Sequence, residues 1–401
     1  MKTNVIKLFT VFFIALSFTS CSSDDDAVTQ VPDVTDAETL TEALQAIHNN
    51  SQVKGFTVGV VKNGTIAYQK SFGFQNVANG VAYTNQTLQP IGSISKTFIG
   101  AAVAKGVSLG YFTLETPIND VLPNAIVNPN HPNDVIKIKH LVNHTSSLVD
   151  NDEIIMDTYY ILQGENTSTE GASLMQQVGI SQRAPQGLAA LVNAYYYEGG
   201  DLYSTDNFST AAVGTQASYS NIASSLAAYI VEVAAGMPYQ DFVDQYILTP
   251  LQMESTGYFY NPAQQNMYAT LYFDDLALPR YNCDSFPDGF LKTNNDDMAN
   301  YLLDMIKGAT GNSGVLFDAT YYDMLFNEDA FGHGLFWERD GSSISHNGSD
   351  PGLTCNLEFD ASTGSGFFIL TNYDSSTDEH VSHIINVFEA TAVAVSGFLQ
   401  H

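Results

Sequence analysis

The chain has 401 residues, 44% of them hydrophobic and 12% aromatic, which is enough to bury a large core. Its 43 Asp and Glu against 14 Lys and Arg give a net charge of −29 and exclude nucleic acid or an anionic lipid surface as a charge-recognised partner. The shortage of Lys and Arg runs along the whole chain and reads as solubility in saline surroundings, with activity and melting temperature expected to hold in molar salt.

Lys2 and Lys7 bracket the start of an apolar run over residues 8–18, too short to span a bilayer as a helix. Thr19 and Ser20 then precede Cys21. Residues 1–20 resemble a bacterial lipoprotein signal peptide, which implies lipid on Cys21 and contact with a membrane through that lipid. Ordinary secretion with cleavage nearby is the alternative. Residues 21–35, with Asp24, Asp25 and Asp26, read as an acidic flexible tether. The expected location is the bacterial cell envelope, at the outer membrane or cell surface. No later apolar run stands out as long enough to span a membrane.

Residues 36–49 carry Leu40, Leu44 and Ile47 at helical spacing, with Thr35 or Asp36 as N-cap. Residues 56–61 and 65–72 flank Asn63-Gly64 and predict a β-hairpin with a tight turn. A helix begins at Ser93. From about 108 to 285 the pattern is helical, broken by long loops rich in Asn, Gly, Pro and Tyr. The clearest helix covers 220–235, with Ile222, Leu226, Ile230 and Val233 on one face and Gly236 as its stop. Another spans 239–247, and one through Met298, Tyr301, Leu302 and Met305 follows Asn295. Strand-like runs return at 334–338, 354–359 and 366–370, and a last helix covers 378–399. His380 and His383 on that helix read as surface residues. Strands at both ends with helices between predict an α/β (α+β) fold. An antiparallel-sheet lobe with flanking helices is built from both chain ends, about 36–107 and 286–401. A mostly helical lobe, about 108–285, is inserted, and together they form one domain over residues 36–401.

The chemistry starts at Ser93-Ile94-Ser95-Lys96. Serine and lysine three apart share a helical face, so the ammonium can lie beside the hydroxyl and help activate it. Chance alone supplies roughly one such pattern in a chain of this composition, and Ser51-Gln52-Val53-Lys54 is a second. Tyr219-Ser220-Asn221 opens the clear helix. A phenol at a helix start near an ammonium is expected to have a lowered pKa and to serve as a base. The Asn221 amide can hold a substrate amide and touch the lysine. Tyr83-Thr84-Asn85 matches the same spacing and reads as a turn. His346-Asn347-Gly348, followed by Ser349, sits where strands resume. The histidine can supply a proton or a donor, and Gly348 lets substrate approach the backbone. His140 and His144 stand at i, i+4, but without the glutamate of a His-Glu-x-x-His site, so no metal is expected. No cofactor is expected either. Cys283 and Cys355 can form a disulfide in an oxidising compartment or remain two buried thiols.

Taken in order, these stretches resemble the serine β-lactamase-like superfamily, nearest its class C β-lactamase, D-alanyl-D-alanine carboxypeptidase and esterase branch. IGSISKTF resembles the nucleophile motif, HLVNHTSSL the histidine-rich stretch, ASYSN the Tyr-x-Asn motif, TPLQMESTGY the Pro-Leu-Gly-Met stretch and HNGSDPG the Lys/His-x-Gly strand. The resemblance covers about residues 55–372. It departs at His346, where β-lactamases usually have lysine, and at Ser147, where the family normally has glycine. Gly214-Thr215-Gln216 lacks the usual preceding proline.

The resemblance implies acyl transfer through an acyl-enzyme on Ser93, with Lys96 and Tyr219 moving protons. Backbone N–H groups of Ser93 and Ser349 would form an oxyanion hole, with Asn221, His346 and Gly348 along the substrate. The substrate is a small molecule or short peptide with an ester, amide or lactam carbonyl. A D-peptidase, carboxypeptidase-like or esterase activity ranks above a true class C-like β-lactamase. A non-hydrolytic envelope protein that binds through the same cleft is the alternative of another class.

Overall fold

A computed structural model describes residues 34–401. Cys21, the signal-like segment and most of the tether lie outside the described residues. Val34 is already buried, and packs beside Gly397 of the last helix, so ordered packing begins ahead of the expected boundary at residue 36.

The first helix, α1 (Ala37–Asn49), starts as its sequence dictates: the Asp36 carboxylate accepts from the Glu38 and Thr39 nitrogens and closes a capping box. Strands β1 (Gly55–Lys62) and β2 (Thr65–Asn76) form the expected hairpin. Asn63 and Gly64 at its tip have φ of 54° and 71°, as a type I′ turn requires. A two-residue strand, β3 (Val81–Ala82), extends the edge. After it comes α2 (Ser95–Ser108), entered through a single 3₁₀ turn at Gly92–Ile94.

The inserted region contributes α3 (Asn221–Ala235), capped by Ser220 and stopped at Gly236 in a left-handed conformation. It also contributes short helices and a small three-stranded sheet (Tyr159–Ile161, Ser181–Gln182, Tyr281–Cys283) that no alternation in the sequence predicted. Then follow α4 (Asn295–Ala309), β4 (Glu338–Asp340), β5 (Ser343–Asp350), β6 (Leu353–Asp360), β7 (Ser365–Thr371) and α5 (Asp378–Gln400).

The large sheet runs β4-β5-β6-β7-β1-β2-β3, antiparallel throughout. The last strand, β7, pairs with the first, β1, in the register Val58↔Ile369 and Val60↔Phe367, so both chain ends build one sheet. Its outer face (Phe56, Val58, Val60, Phe367, Ile369) is covered by Leu40 and Leu44 of α1 and by Ile384, Phe388 and Val395 of α5. Its inner face (Val61, Leu357, Phe359, Phe368, Leu370) joins a second core with α2, α3 and α4. This is the predicted fold: an antiparallel-sheet lobe from both ends with a mostly helical lobe inserted.

Four local expectations change. Residues 334–338 are not a strand. Phe336 sits there at φ 57°, bending the chain so that strand pairing starts only at Glu338. The final helix, Asp378–Gln400, is long and apolar enough by length and composition to cross a membrane, yet its apolar side packs on the sheet. His380 is buried rather than exposed: its ring bonds Asp274 at 2.7 Å and Asp374 at 3.3 Å. His383 is half-buried and accepts from the Gln52 nitrogen at 2.9 Å. Cys283 and Cys355 are buried free thiols.

Helix α2 is the pivot of the molecule. Residues Ser95 to Ala104 are all buried, so it has no polar face and must sit in the middle of the structure. Phe98 stacks on Tyr301 of α4 with ring centroids 3.9 Å apart. A buried helix entered at Gly92 delivers Ser93 and Lys96 to the seam between the lobes.

Candidate active site

Ser93 and Lys96 face each other at that helix entrance, both buried, with the Lys96 Nζ donating to Ser93 Oγ at 3.0 Å. The same ammonium donates to Asn221 Oδ1 at 2.7 Å and to the Asp288 carbonyl at 2.8 Å. With the Tyr219 phenol oxygen, which it also bonds, the ammonium faces four oxygens, one more than it has N–H groups. Burial pulls Lys96 down, but Tyr219, Asp288 and Asp350 outweigh it and hold the group above its ordinary range.

Tyr219 lies against this pair. Lys96 Nζ is 5.0 Å from its ring centroid, and both Lys96 and Ser93 hydrogen-bond its phenol oxygen. The expected lowering of its pKa does not occur. Burial raises the phenol, and Lys96 and the hydrogen bonds only partly offset that. The helix end does not help, because Tyr219 precedes the N-cap. The first N–H groups of α3, on Asn221 and Ile222, donate to the Asp150 carboxylate at 2.8 and 3.0 Å.

The sheet lobe forms the opposite wall. Strand β5 pairs with β4 only through Ser345, so from His346 onward its outer edge lacks a strand partner. The 3₁₀ turn of Ser93 takes that place. A Cβ added at Gly348 would strike the Ile91 carbonyl oxygen and lie 2.9 Å from the Ser93 nitrogen. One added at Gly92, which has φ 55°, would lie 2.6 Å from the Ser349 nitrogen. The two glycines thus let the Ser93 turn and strand β5 approach in backbone contact, with the Ser93 and Ser349 nitrogens on the facing segments. Ser349 Oγ bonds Ser375 Oγ at 2.7 Å.

His346 is buried on the inner face of β5, its Nδ1–H donating to the Asn347 carbonyl at 2.6 Å. Burial and the nearby Lys96 push it down to about 3. It is a neutral ring at neutral pH whose Nδ1 proton is already committed, so the expected role as a proton supplier does not fit.

His140 and His144 part company. His140 Nδ1 accepts from the Lys137 nitrogen, while His144 is turned to φ 55° and accepts from the Ser220 nitrogen. The His144 ring lies 4.6 Å from that of Tyr219. Ser147 adopts φ 62°, the left-handed region a glycine would favour, and its Oγ donates to the Ala211 carbonyl at 2.8 Å. The Ser51 and Tyr83 look-alikes lie elsewhere: Lys54 pairs with Asp275 and Tyr83 donates to Gln89.

A cleft of about 850 Å³ opens on the Tyr219 side, lined by Tyr219, His144, His333, Glu338, Ser345 and Glu358. Glu338, Ser345 and Glu358 stand side by side across β4, β5 and β6. Burial raises both carboxyls to about 7. Three participants had no signal in the sequence. Asp150 follows the histidine-rich stretch in a loop, Asp288 offers Lys96 a backbone oxygen, and buried Asp350 takes a hydrogen bond from Tyr159 at 2.9 Å.

The antiparallel sheet with its inserted helical lobe, and the Ser–Lys–Tyr cluster at the seam, define a protein of β-lactamase type. The chain belongs to the beta-lactamase family, whose family model matches residues 38–392. It is 21% identical over 334 residues to Protein flp of Staphylococcus aureus (strain MRSA252), covering 80% of this chain and 60% of that protein. It is 26% identical over 299 residues to Penicillin-binding protein 4* of Bacillus subtilis (strain 168), covering 73% and 56%. The chain thus spans about 60% of the length of these curated relatives. Among solved structures, the octameric penicillin-binding protein homologue from Pyrococcus abyssi superposes with a TM-score of 0.67 at 20% identity, covering 86% of this chain and 74% of that one. The penicillin binding protein from Bacillus halodurans gives 0.62 at 22%, covering 86% and 99%. These two likenesses establish the fold.

Proposed function

We propose that the protein is a serine hydrolase working through an acyl-enzyme on Ser93. The observation that carries this is a Lys96 ammonium surrounded by oxygens and held above its ordinary range. It already donates to Ser93 Oγ, Asn221 Oδ1 and the Asp288 carbonyl, so it is no base in this state. Tyr219 is then the group beside Ser93 that can receive its proton. A phenol kept neutral by burial suits a relay. As Ser93 Oγ bonds the carbonyl carbon, its proton passes to the Tyr219 oxygen, and the phenol's own proton passes to the departing oxygen or nitrogen. Lys96 stabilises negative charge on both oxygens throughout. The Ser93 and Ser349 N–H groups hold the oxyanion, and water reverses the sequence to free the acid.

The substrate reading follows from charge. A lactam antibiotic or a C-terminal D-peptide presents a carboxylate, and a neutral His346 offers it no cation. We therefore rank esters and uncharged or amine-bearing amides, including D-amino-acid amides, above carboxypeptidase substrates and lactams. Labelling of Ser93 by a fluorophosphonate, with loss of label and turnover in Ser93→Ala and Tyr219→Phe, tests the chemistry. Near-normal turnover by Ser93→Ala would sink it. A panel of short-chain p-nitrophenyl esters, D-amino-acid amides, a D-Ala-D-Ala peptide and nitrocefin tests the substrate. We also propose lipid anchoring at Cys21 in the cell envelope, supported by the sequence preceding it; a Cys21→Ala protein that still fractionates with membranes would refute it.

A further inference from the structure

Asp150 stands outside every helix and strand, yet its carboxylate accepts four hydrogen bonds: from Ser220 Oγ, Asn221 N and Asn221 Nδ2, each at 2.8 Å, and from Ile222 N at 3.0 Å. Helix α3 does not need all of these for its start. Ser220 already caps it, its Oγ accepting from the Ala223 nitrogen at 3.0 Å.

The bond to the Asn221 side chain has a different consequence, because it decides which way the carboxamide faces. With Nδ2 on Asp150, Oδ1 must face Lys96, and it receives the ammonium at 2.7 Å. Turned over, the amide would set its oxygen against a carboxylate and its NH₂ against an ammonium, replacing two charge-assisted bonds with two repulsions.

We propose that Asp150 is a positioning residue for acyl transfer, locking the Asn221 carboxamide so that it holds the Lys96 ammonium on Ser93 Oγ. This rests on the reading of Ser93 as nucleophile. Asp150 never touches substrate; it acts through Asn221. The other titratable groups facing Lys96 are Tyr219 ahead of α3, Asp288, Asp350 on β5, His144 and His346. All of them stay in place when Asp150 is changed, so a change in Lys96 behaviour traces to Asp150, through its charge and the Asn221 carboxamide it holds.

The test compares Asp150→Asn with Ser220→Ala in the full chain. The first keeps the side-chain volume but removes the charge and leaves Asn221 able to turn. The second removes the cap and one Asp150 contact but leaves both Asn221 bonds. Three quantities are read: thermal midpoint, the pH profile of p-nitrophenyl acetate hydrolysis, and the Lys96 titration by NMR of ¹³Cε-labelled lysine.

For Asp150→Asn, kcat is expected to fall about ten- to a hundredfold, the range for losing a hydrogen bond to a charged group, with KM within about twofold. Its Lys96 titration and the basic limb of the rate profile both move to lower pH, because the ammonium has lost an acceptor. Ser220→Ala lowers the thermal midpoint and leaves both titrations where they were. If Asp150→Asn behaves like Ser220→Ala, with a lower midpoint and an unmoved Lys96 titration, the residue is only a second cap and the proposal falls. A wild-type protein that takes no fluorophosphonate at Ser93 refutes the hydrolase reading instead, and the lysine titration still decides whether Asp150 holds Lys96.

Discussion

Gly348→Ala is the most direct probe of how the two lobes make one site. Its Cβ would lie 2.9 Å from the Ser93 nitrogen and closer still to the Ile91 carbonyl, whereas ordinary contact begins at 3.4 Å. Neither neighbour can swing away, because both are backbone, Ile91 N is bonded to the Leu291 carbonyl and α2 behind them is buried on all sides. Strand β5 and the Gly92–Ile94 turn must therefore separate by on the order of 1 Å, a displacement that typically costs about 10²-fold in rate when it misplaces reacting groups. The separation acts on the gap between the Ser93 and Ser349 nitrogens, and losing one oxyanion donor costs about 10²- to 10³-fold. Overpacking of this kind costs about 1–3 kcal/mol of stability, which a large domain survives. The assay is kcat/KM on a p-nitrophenyl ester, with circular dichroism and a thermal melt to verify folding. A folded Gly348→Ala protein within threefold of wild type would refute the assignment of these two nitrogens to an oxyanion hole.

Further outcomes follow from the same geometry. With His346 neutral, short-chain p-nitrophenyl esters should exceed nitrocefin in kcat/KM by at least about tenfold; the reverse order would overturn the substrate ranking. Ser147→Ala keeps the left-handed backbone and loses the bond to Ala211, so urea melts should show a loss of about 1 kcal/mol, while Ser147→Gly trades that bond for relief of strain and should stay near wild type. Glu358 is raised to about 7 by burial, so the folded state keeps its proton where the unfolded chain has lost it, and this contribution to stability declines as pH rises from about 4.5 to 7. Glu358→Gln removes that slope. Its stability relative to wild type should rise by up to about 3 kcal/mol between pH 4 and pH 8, and a flat difference would show that the carboxyl is not held protonated.

Much of the molecule was legible before any coordinates. Local signals act over a few residues, and they held: the Asp36 cap, the Asn63-Gly64 turn, and the Ser220 cap and Gly236 stop of α3. Strands at both chain ends predicted one sheet lobe built from both termini, while the pairing of β7 with β1 came from the structure. Ser93 and Lys96 were recognisable as a pair because three residues of helix place them on one face.

What the sequence could not decide was environment. The proton affinity of Tyr219 depends on how deeply the phenol is buried and on Asp150 having already taken the helix end, neither of which its neighbours in the chain reveal. His346 looked like a proton donor until its Nδ1–H was found bonded to the next carbonyl. His380 looked like a surface residue until Asp274 and Asp374, far apart in the chain, closed around it. Sequence by itself determined which residue types stand at the seam and in what order. Only the tertiary structure decided their charge states and partners, because desolvation and pairing depend on groups that meet through folding.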